Sequence, residues 1–162
     1  MHPALVAKLV ILLGVANGAP VLAKKALGLR FDRPLDGGAV WRDGRPLFGP
    51  SKTIRGLVAS LLATPFAAVL MGLQWDVGML VAVGALAGDL VSSFVKRRLG
   101  LASSSMAIGL DQIPEALVPA LLSCVVLPLG RLDILAIVML FFVANLVLSR
   151  LLFHLHLRDR PH

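Results

Sequence analysis

Five long apolar runs, divided by charged connections, leave this chain few folds to choose from. They are Ala4–Ala23, Ile54–Leu73, Val77–Val95, Ile113–Leu129 and Ile134–Phe153. A helix of about 20 mostly apolar residues crosses the hydrocarbon core of a bilayer. In that solvent, a helix is a form that satisfies its own backbone. The runs occupy most of the 162 residues, 57% of which are hydrophobic, and leave no room for a separate soluble domain. The expectation is one all-α integral membrane domain, residues 1–162. It has five transmembrane helices and a long basic cytoplasmic loop between the first and second.

Charge orients these helices. The formal net charge is +7, but the basic residues are clustered. Eight lie in the first long connection (Lys24, Lys25, Arg30, Arg33, Arg42, Arg45, Lys52 and Arg55), three in the third (Lys96, Arg97 and Arg98), and three near the C-terminus (Arg150, Arg158 and Arg160). Lys8 and Arg131 alone fall on the other side. By the positive-inside rule, the N-terminus is outside and the C-terminus cytoplasmic. Such an asymmetry describes a cytoplasmic-membrane protein, and nucleic acid is not an expected partner. Lys24 and Lys25 follow the first run, whereas a signal peptide carries its positive charge ahead of its apolar core, so the run is read as a retained helix. Cys124 is the single cysteine, which excludes an intramolecular disulfide and suits core packing.

The chemistry concentrates in Gly88-Asp-Leu-Val-Ser-Ser-Phe-Val-Lys-Arg-Arg98. An ionisable residue within an apolar span is costly and by default marks a functional site. On a helix, Asp89, Ser92, Ser93 and Lys96 fall at i, i+3, i+4 and i+7, one stripe of one face. Acid below and cations above suit a metal ion bridged to phosphate. In the first run, Asn17-Gly-Ala-Pro20 is expected to interrupt the helix, because Pro20 has no amide hydrogen for the Ala16 carbonyl. The interruption serves either as a packing kink or as a polar lining.

The connection from Lys24 to Thr53 is rich in glycine, proline and charge. Connections of this length are functional or disordered. Gly49-Pro-Ser-Lys-Thr53 resembles a phosphate-cradling loop in composition without being a Walker A sequence. Lys52 and Thr53, at the start of the second helix, could surround an anion together with helix-terminal amides; a basic cluster on anionic headgroups is the other reading. Gly84-Ala-Leu-Ala-Gly88 lets another backbone approach closely, whether in this chain or in a homodimer. Asp111 either starts the fourth helix or joins the site, and Pro119 and Pro128 bend that helix. Asn145 suits an interhelical hydrogen bond, and His154 and His156 do not share a helical face. Asp89 and Asn17 each lie seven residues before a basic rim, so both sit about 10 Å beneath it at 1.5 Å per residue. A polar pocket opening at cytoplasmic headgroup depth is the shared implication.

Taken in order, several motifs resemble the CDP-archaeol synthase family and, more distantly, the phosphatidate cytidylyltransferases. They are Asn17-x-x-Pro20, Pro34-Leu-Asp36-x-Gly38, Asp43-Gly-Arg45, Gly49-x-x-Lys-Thr-x-Arg-Gly56, Gly88-Asp-Leu-x-x-Ser-Phe-x-Lys-Arg-Arg98 and Leu110-Asp-Gln112. The resemblance implies transfer of CMP from CTP to a lipid phosphomonoester, with release of pyrophosphate and a requirement for Mg2+. It implies catalytic roles for Lys52, Lys96 and Arg97, and substrate contacts from Asn17, Pro20, Asp36, Thr53, Arg55, Ser93 and Arg98. Asp89 and Asp111 become the metal ligands, which suits an ion that takes one or two carboxylates plus phosphates and water. The family pattern has a second acidic residue in Asp-Gln-Leu-Asp, whereas this chain reads Asp111-Gln-Ile-Pro-Glu115. The lipid, whether diacyl, diether or prenyl, stays open. A small transporter or lipid-binding protein for anionic ligands is the competing reading of the same intramembrane acid and basic vestibule. A structural subunit whose basic loop binds anionic lipid is a third.

Overall fold

A computed structural model describes residues 1–103, 105 and 107–154, with side chains described up to Val147. The C-terminal cations Arg150, Arg158 and Arg160 and the His154/His156 pair, as side chains, lie outside the described residues. Five helices run in order: α1 (Pro3–Leu27), α2 (Ile54–Leu70), α3 (Trp75–Arg98), α4 (Gln112–Ser123) and α5 (Arg131–His154).

Cys124, expected in the core, is exposed just past α4, and two expectations about the helices are corrected. First, α1 is not interrupted: it continues through Pro20 to Leu27. Second, the fourth apolar run does not stay helical to Leu129. The 12-residue α4 ends at Ser123, which gives it a length of about 18 Å, short of the roughly 30 Å hydrocarbon core. Short i→i+3 bonds from Val125 to Leu122 and from Val126 to Ser123 close its end. Beyond them Pro128 cannot donate an amide to continue the ladder.

The molecule is apolar outside as well as inside. Leu62, Phe66 and Leu70 of α2, and Leu135, Met139 and Val143 of α5, are exposed. Among the described residues, α1 and α3 are long and apolar enough to span a membrane. The centre is built from Leu9, Leu12 and Leu13 of α1, Val77, Val81 and Ala85 of α3, Ala116 and Ala120 of α4, and Ile137 and Phe141 of α5.

Glycine and proline pair across the helix seams. A Cβ on Gly84 would stand 2.5 Å from the Cα of Pro119, and one on Gly88 would overlap the Pro114 carbonyl. The α3 and α4 backbones therefore meet directly, as small residues at this spacing permit. The Gly84-x-x-x-Gly88 face is filled by this chain's own α4, so it is closed to a second copy. Gly78 receives Pro65 of α2 in the same way, and Gly56 of α2 sits against Pro20 of α1. At the far end, the Asp133 carboxylate accepts from the His2 amide at 2.7 Å and the Gly130 amide at 3.0 Å, tying the starts of α1 and α5 together.

The connection between α1 and α2 is folded. The Leu35 amide donates to the Lys52 carbonyl and the Ile54 amide to the Arg33 carbonyl, so its two ends run side by side. A smaller turn closes between Ala39 and Leu47.

Candidate active site

The helix ends at the connection side surround a cavity of about 880 Å³. Each wall follows from local sequence. On α3, Asp89, Ser93 and Lys96 project from one face into the cavity, while Ser92 turns away and donates to the Gly88 carbonyl at 2.8 Å. The Gly88 seam carries the start of α4 against α3, bringing Glu115 beside Asp89. Thr53 caps α2 by accepting from the Gly56 amide at 3.2 Å, leaving Lys52 at the mouth of that helix. From α1 come Asn17 and Pro20, one turn apart.

Two lysine–aspartate pairs line the cavity, one joining the α1–α2 connection to α3 and the other joining the end of α3 to the start of α4. Lys52 Nζ donates to both carboxylate oxygens of Asp89 at 2.5 Å. Lys96 Nζ lies 2.7 Å from Asp111 and donates to the Ser105 carbonyl at 2.9 Å. Asp111 occupies the position before α4 without capping it; its other oxygen accepts from the Ala107 amide at 2.9 Å. Asp111 thus stands at the start of α4 with its side chain in the cavity wall rather than in a cap. Glu115, 8% exposed, adds a third carboxyl within hydrogen-bonding reach of Asp89. Such crowded acids need positive charge nearby, and Lys52, Lys96 and Arg97 surround them.

Arg97 is buried, donates to the Ala102 carbonyl at 2.9 Å, and leaves its Nε without a partner. It also passes the positive-φ Gly49, where a Cβ would stand 3.6 Å from the guanidinium and 3.2 Å from Ser103 Oγ. The Asn17 amide nitrogen and Ser105 Oγ are likewise buried and unpartnered. Buried polar atoms are ordinarily satisfied, and these three unpartnered donors all belong to residues that line the cavity.

Ten of the twelve residues singled out from the sequence line this one cavity: Asn17, Pro20, Lys52, Thr53, Arg55, Asp89, Ser93, Lys96, Arg97 and Asp111. Arg55 does so with its guanidinium already engaged, donating to the Gly28 and Arg30 carbonyls and pairing with Asp32 at 2.8 Å. Asp36 and Arg98 lie outside the lining. Asp36 accepts from the amides of Gly38, Phe48 and Gly49 at 2.9–3.1 Å. Partial burial pushes its carboxyl up, but those amides outweigh it and hold the group below the ordinary carboxylate range. Arg98 pairs with Asp43, donates to the Arg45 and Pro46 carbonyls, and stacks 5.0 Å over Phe94.

Sequence reasoning gave no site role to Gln112, Ser51, Ser103 or Ser105, and assigned Asn145 to helix packing. All five line the cavity. Gln112 and Ser51 stand inside the quoted motifs Leu110-Asp-Gln112 and Gly49-Pro-Ser-Lys-Thr53, Ser103 and Ser105 only near the basic triplet, and Asn145 of α5 near none of them.

The donors present are hard oxygens. Two to three carboxyls beside an open polar space match what Mg2+ takes when phosphates and water complete its shell, although the described residues hold no ready-made group of three ligands.

A family model described as CarS-like, CDP-archaeol synthase, matches residues 21–162. A CDP-archaeol synthase of Pyrococcus furiosus is 42% identical over 123 residues, which is 69% of this chain and 70% of that protein. One of Sulfurisphaera tokodaii is 33% identical over 154 residues, 91% of this chain and 89% of that protein. A solved structure of an intramembrane enzyme for archaeal membrane lipids biosynthesis superposes with a TM-score of 0.76 at 33% identity, covering 88% of this chain and 90% of its own. With its apolar exterior and the polar cavity at its helix ends, this chain belongs to the CDP-archaeol synthase family.

Proposed function

We infer that this protein transfers CMP from CTP to a membrane lipid phosphomonoester, giving a CDP-lipid and pyrophosphate. The observation that carries the inference is the cavity. It combines cations and carboxylates with an apolar flank of Val21, Leu57, Leu86 and Leu90, so a nucleotide triphosphate and a lipid headgroup find matching surroundings in one space. The bundle sits with its five helices in the cytoplasmic membrane, α4 reaching only part-way across. The N-terminus faces outward and the cavity opens to the cytoplasm.

An oxygen of the lipid phosphate attacks the α-phosphorus of CTP. A new P–O bond forms, the bond to the bridging oxygen breaks, and pyrophosphate leaves with that electron pair. The attacking oxygen is already anionic, so no general base is needed. Lys52, Lys96 and Arg97 neutralise the charge that develops on the α-phosphate and on the leaving group, the kind of fixed electrostatic help that dominates such reactions. Bound Mg2+ would supply further charge neutralisation and alignment of the phosphates, and Asp89 and Asp111 are the residues that would hold it, with Glu115 beside them. Lys52 and Lys96, which stand against Asp89 and Asp111, are placed to reach phosphate oxygens. Asn17, Thr53 and Ser93 donate to substrate oxygens, and Pro20 shapes the wall at Gly56. Asp36, Arg55 and Arg98 act through the connection, holding Lys52 and Gly49 in place.

The test is transfer of label from α-labelled CTP into lipid by the purified protein. Phosphatidic acid, a diether glycerol phosphate and a prenyl phosphate would each be offered. Label in the organic phase, lost with EDTA and in Asp89→Asn, is the expected result. Saturable CTP binding without transfer to any of these lipids would overturn the acceptor class.

A further inference from the structure

Immediately after α1, Gly28–Arg33 is held in an unusual way. The Arg55 guanidinium takes the carbonyls of Gly28 and Arg30 and the carboxylate of Asp32, at 2.7–2.9 Å. With positions 28, 30 and 32 drawn inward, the intervening side chains are sent outward. Leu29 is 90% exposed and Phe31 74% exposed. Phe31 also holds a φ of +58°, the one positive value at a non-glycine residue among those described. Bulky residues rarely adopt that region, and such conformations persist where the surroundings enforce them.

Two apolar side chains displayed by a buried arginine need a partner, and neighbouring charge says which. Lys24, Lys25, Arg30 and Arg33 are all exposed around them, and the one acid of the segment, Asp32, is paired with Arg55. The segment leaves α1 at the level of the cytoplasmic basic rim, where Leu and Phe side chains bury into the headgroup–acyl boundary and cations meet anionic headgroups. Lys24, Lys25 and Asp32 also line the cavity, so the segment forms part of its lip.

We propose that Gly28–Arg33 is an interfacial anchor: Leu29 and Phe31 insert into the headgroup–acyl boundary of anionic lipid at the cavity mouth, and the four cations bind the surrounding phosphates. Hydrophobic insertion combined with cationic attraction is the usual energetic basis of such surfaces.

Nitroxide labels at Leu29→Cys and Phe31→Cys, on a Cys124→Ser background, would read depth in vesicles containing phosphatidylglycerol. A label at Arg42→Cys, on the exposed turn of the connection, is the aqueous control. At positions 29 and 31, collisions with oxygen should exceed those with a water-soluble nickel chelate, with the order reversed at 42. In vesicles of phosphatidylcholine alone, both labels should move toward the chelate. Chelate-dominated collisions at 29 and 31 in anionic vesicles, matching 42, would overturn the proposal. Unchanged depth without anionic lipid would overturn the headgroup assignment. The readout is depth, not turnover, so its outcome is independent of the transfer reaction.

Discussion

Two walls of the same cavity are built on opposite principles. The α3–α4 seam closes because side chains are missing: Gly84 and Gly88 let the backbone of Pro114 to Pro119 come into contact. The connection between α1 and α2 closes because side chains reach across it, with Asp36, Arg55 and Arg98 each taking two or three backbone partners. The first wall has no slack, since an added methyl must displace backbone. The second is a set of separable polar clamps. An ion pair forms where they meet: Asp89 stands next to Gly88 on the rigid wall, and Lys52 comes to it from the clamped one at 2.5 Å.

The sharpest division between chemistry and architecture lies at that meeting point. Asp89→Asn is expected to lower turnover about 10²–10³-fold, the usual scale for removing one electrostatic element of a transition-state site. Folding should change little, because Asn retains the volume. Activity and thermal unfolding measured on the same preparation decide it, and near-normal turnover would remove Asp89 from the metal role.

Breaking the rigid wall reverses the pattern. Gly88→Ala forces a Cβ onto the Pro114 carbonyl and should cost about 1–3 kcal/mol or more, in the range of overpacked cores. Yield after detergent extraction and the unfolding midpoint both fall. An unchanged midpoint would mean that the seam can open without penalty.

The clamped wall should fail more gently. Arg98→Ala removes the Asp43 pair and two backbone acceptors, but Asp43 is 38% exposed, so solvent screening limits what the loss of that pair costs. A several-fold rise in KM for CTP with a small change in kcat is expected from steady-state kinetics. A large loss of kcat would instead place Arg98 on the substrate.

The smallest effect is one of pH. Because the folded connection holds Asp36 below the ordinary value of 3.8, its contribution to stability is complete above that value and is lost as pH falls through the lower folded one. Hydrogen exchange at Phe48 and Gly49, compared between the native chain and Asp36→Asn, should converge at acid pH and diverge above it. Equal exchange throughout would show that the carboxylate is not what holds the turn.

Much of this was legible in one dimension. Apolar runs of membrane length located five helices, and the stripe from Asp89 to Lys96 pointed at one face. The ordered motifs led to the family that the comparisons then showed. The misreadings share a cause. Pro20 was expected to break α1, and the run from Ile113 was expected to stay helical to Leu129. Local composition does not say how far packing lets a helix run: α1 continues through Pro20, which sits on Gly56, whereas α4 ends at Ser123, before Pro128 is reached.

The sequence by itself determined the solvent, the number of helices and the chemical types at the site, because hydrophobic length and charge are local properties that survive without a fold. Tertiary structure alone decided the rest. It paired Lys52 with Asp89 and Lys96 with Asp111, carried Glu115 and Asn145 into the cavity, and left Asp36 and Arg98 outside its lining. A carboxylate's role depends on which donors stand within about 3 Å, and that distance is set by seams between helices that no single segment contains.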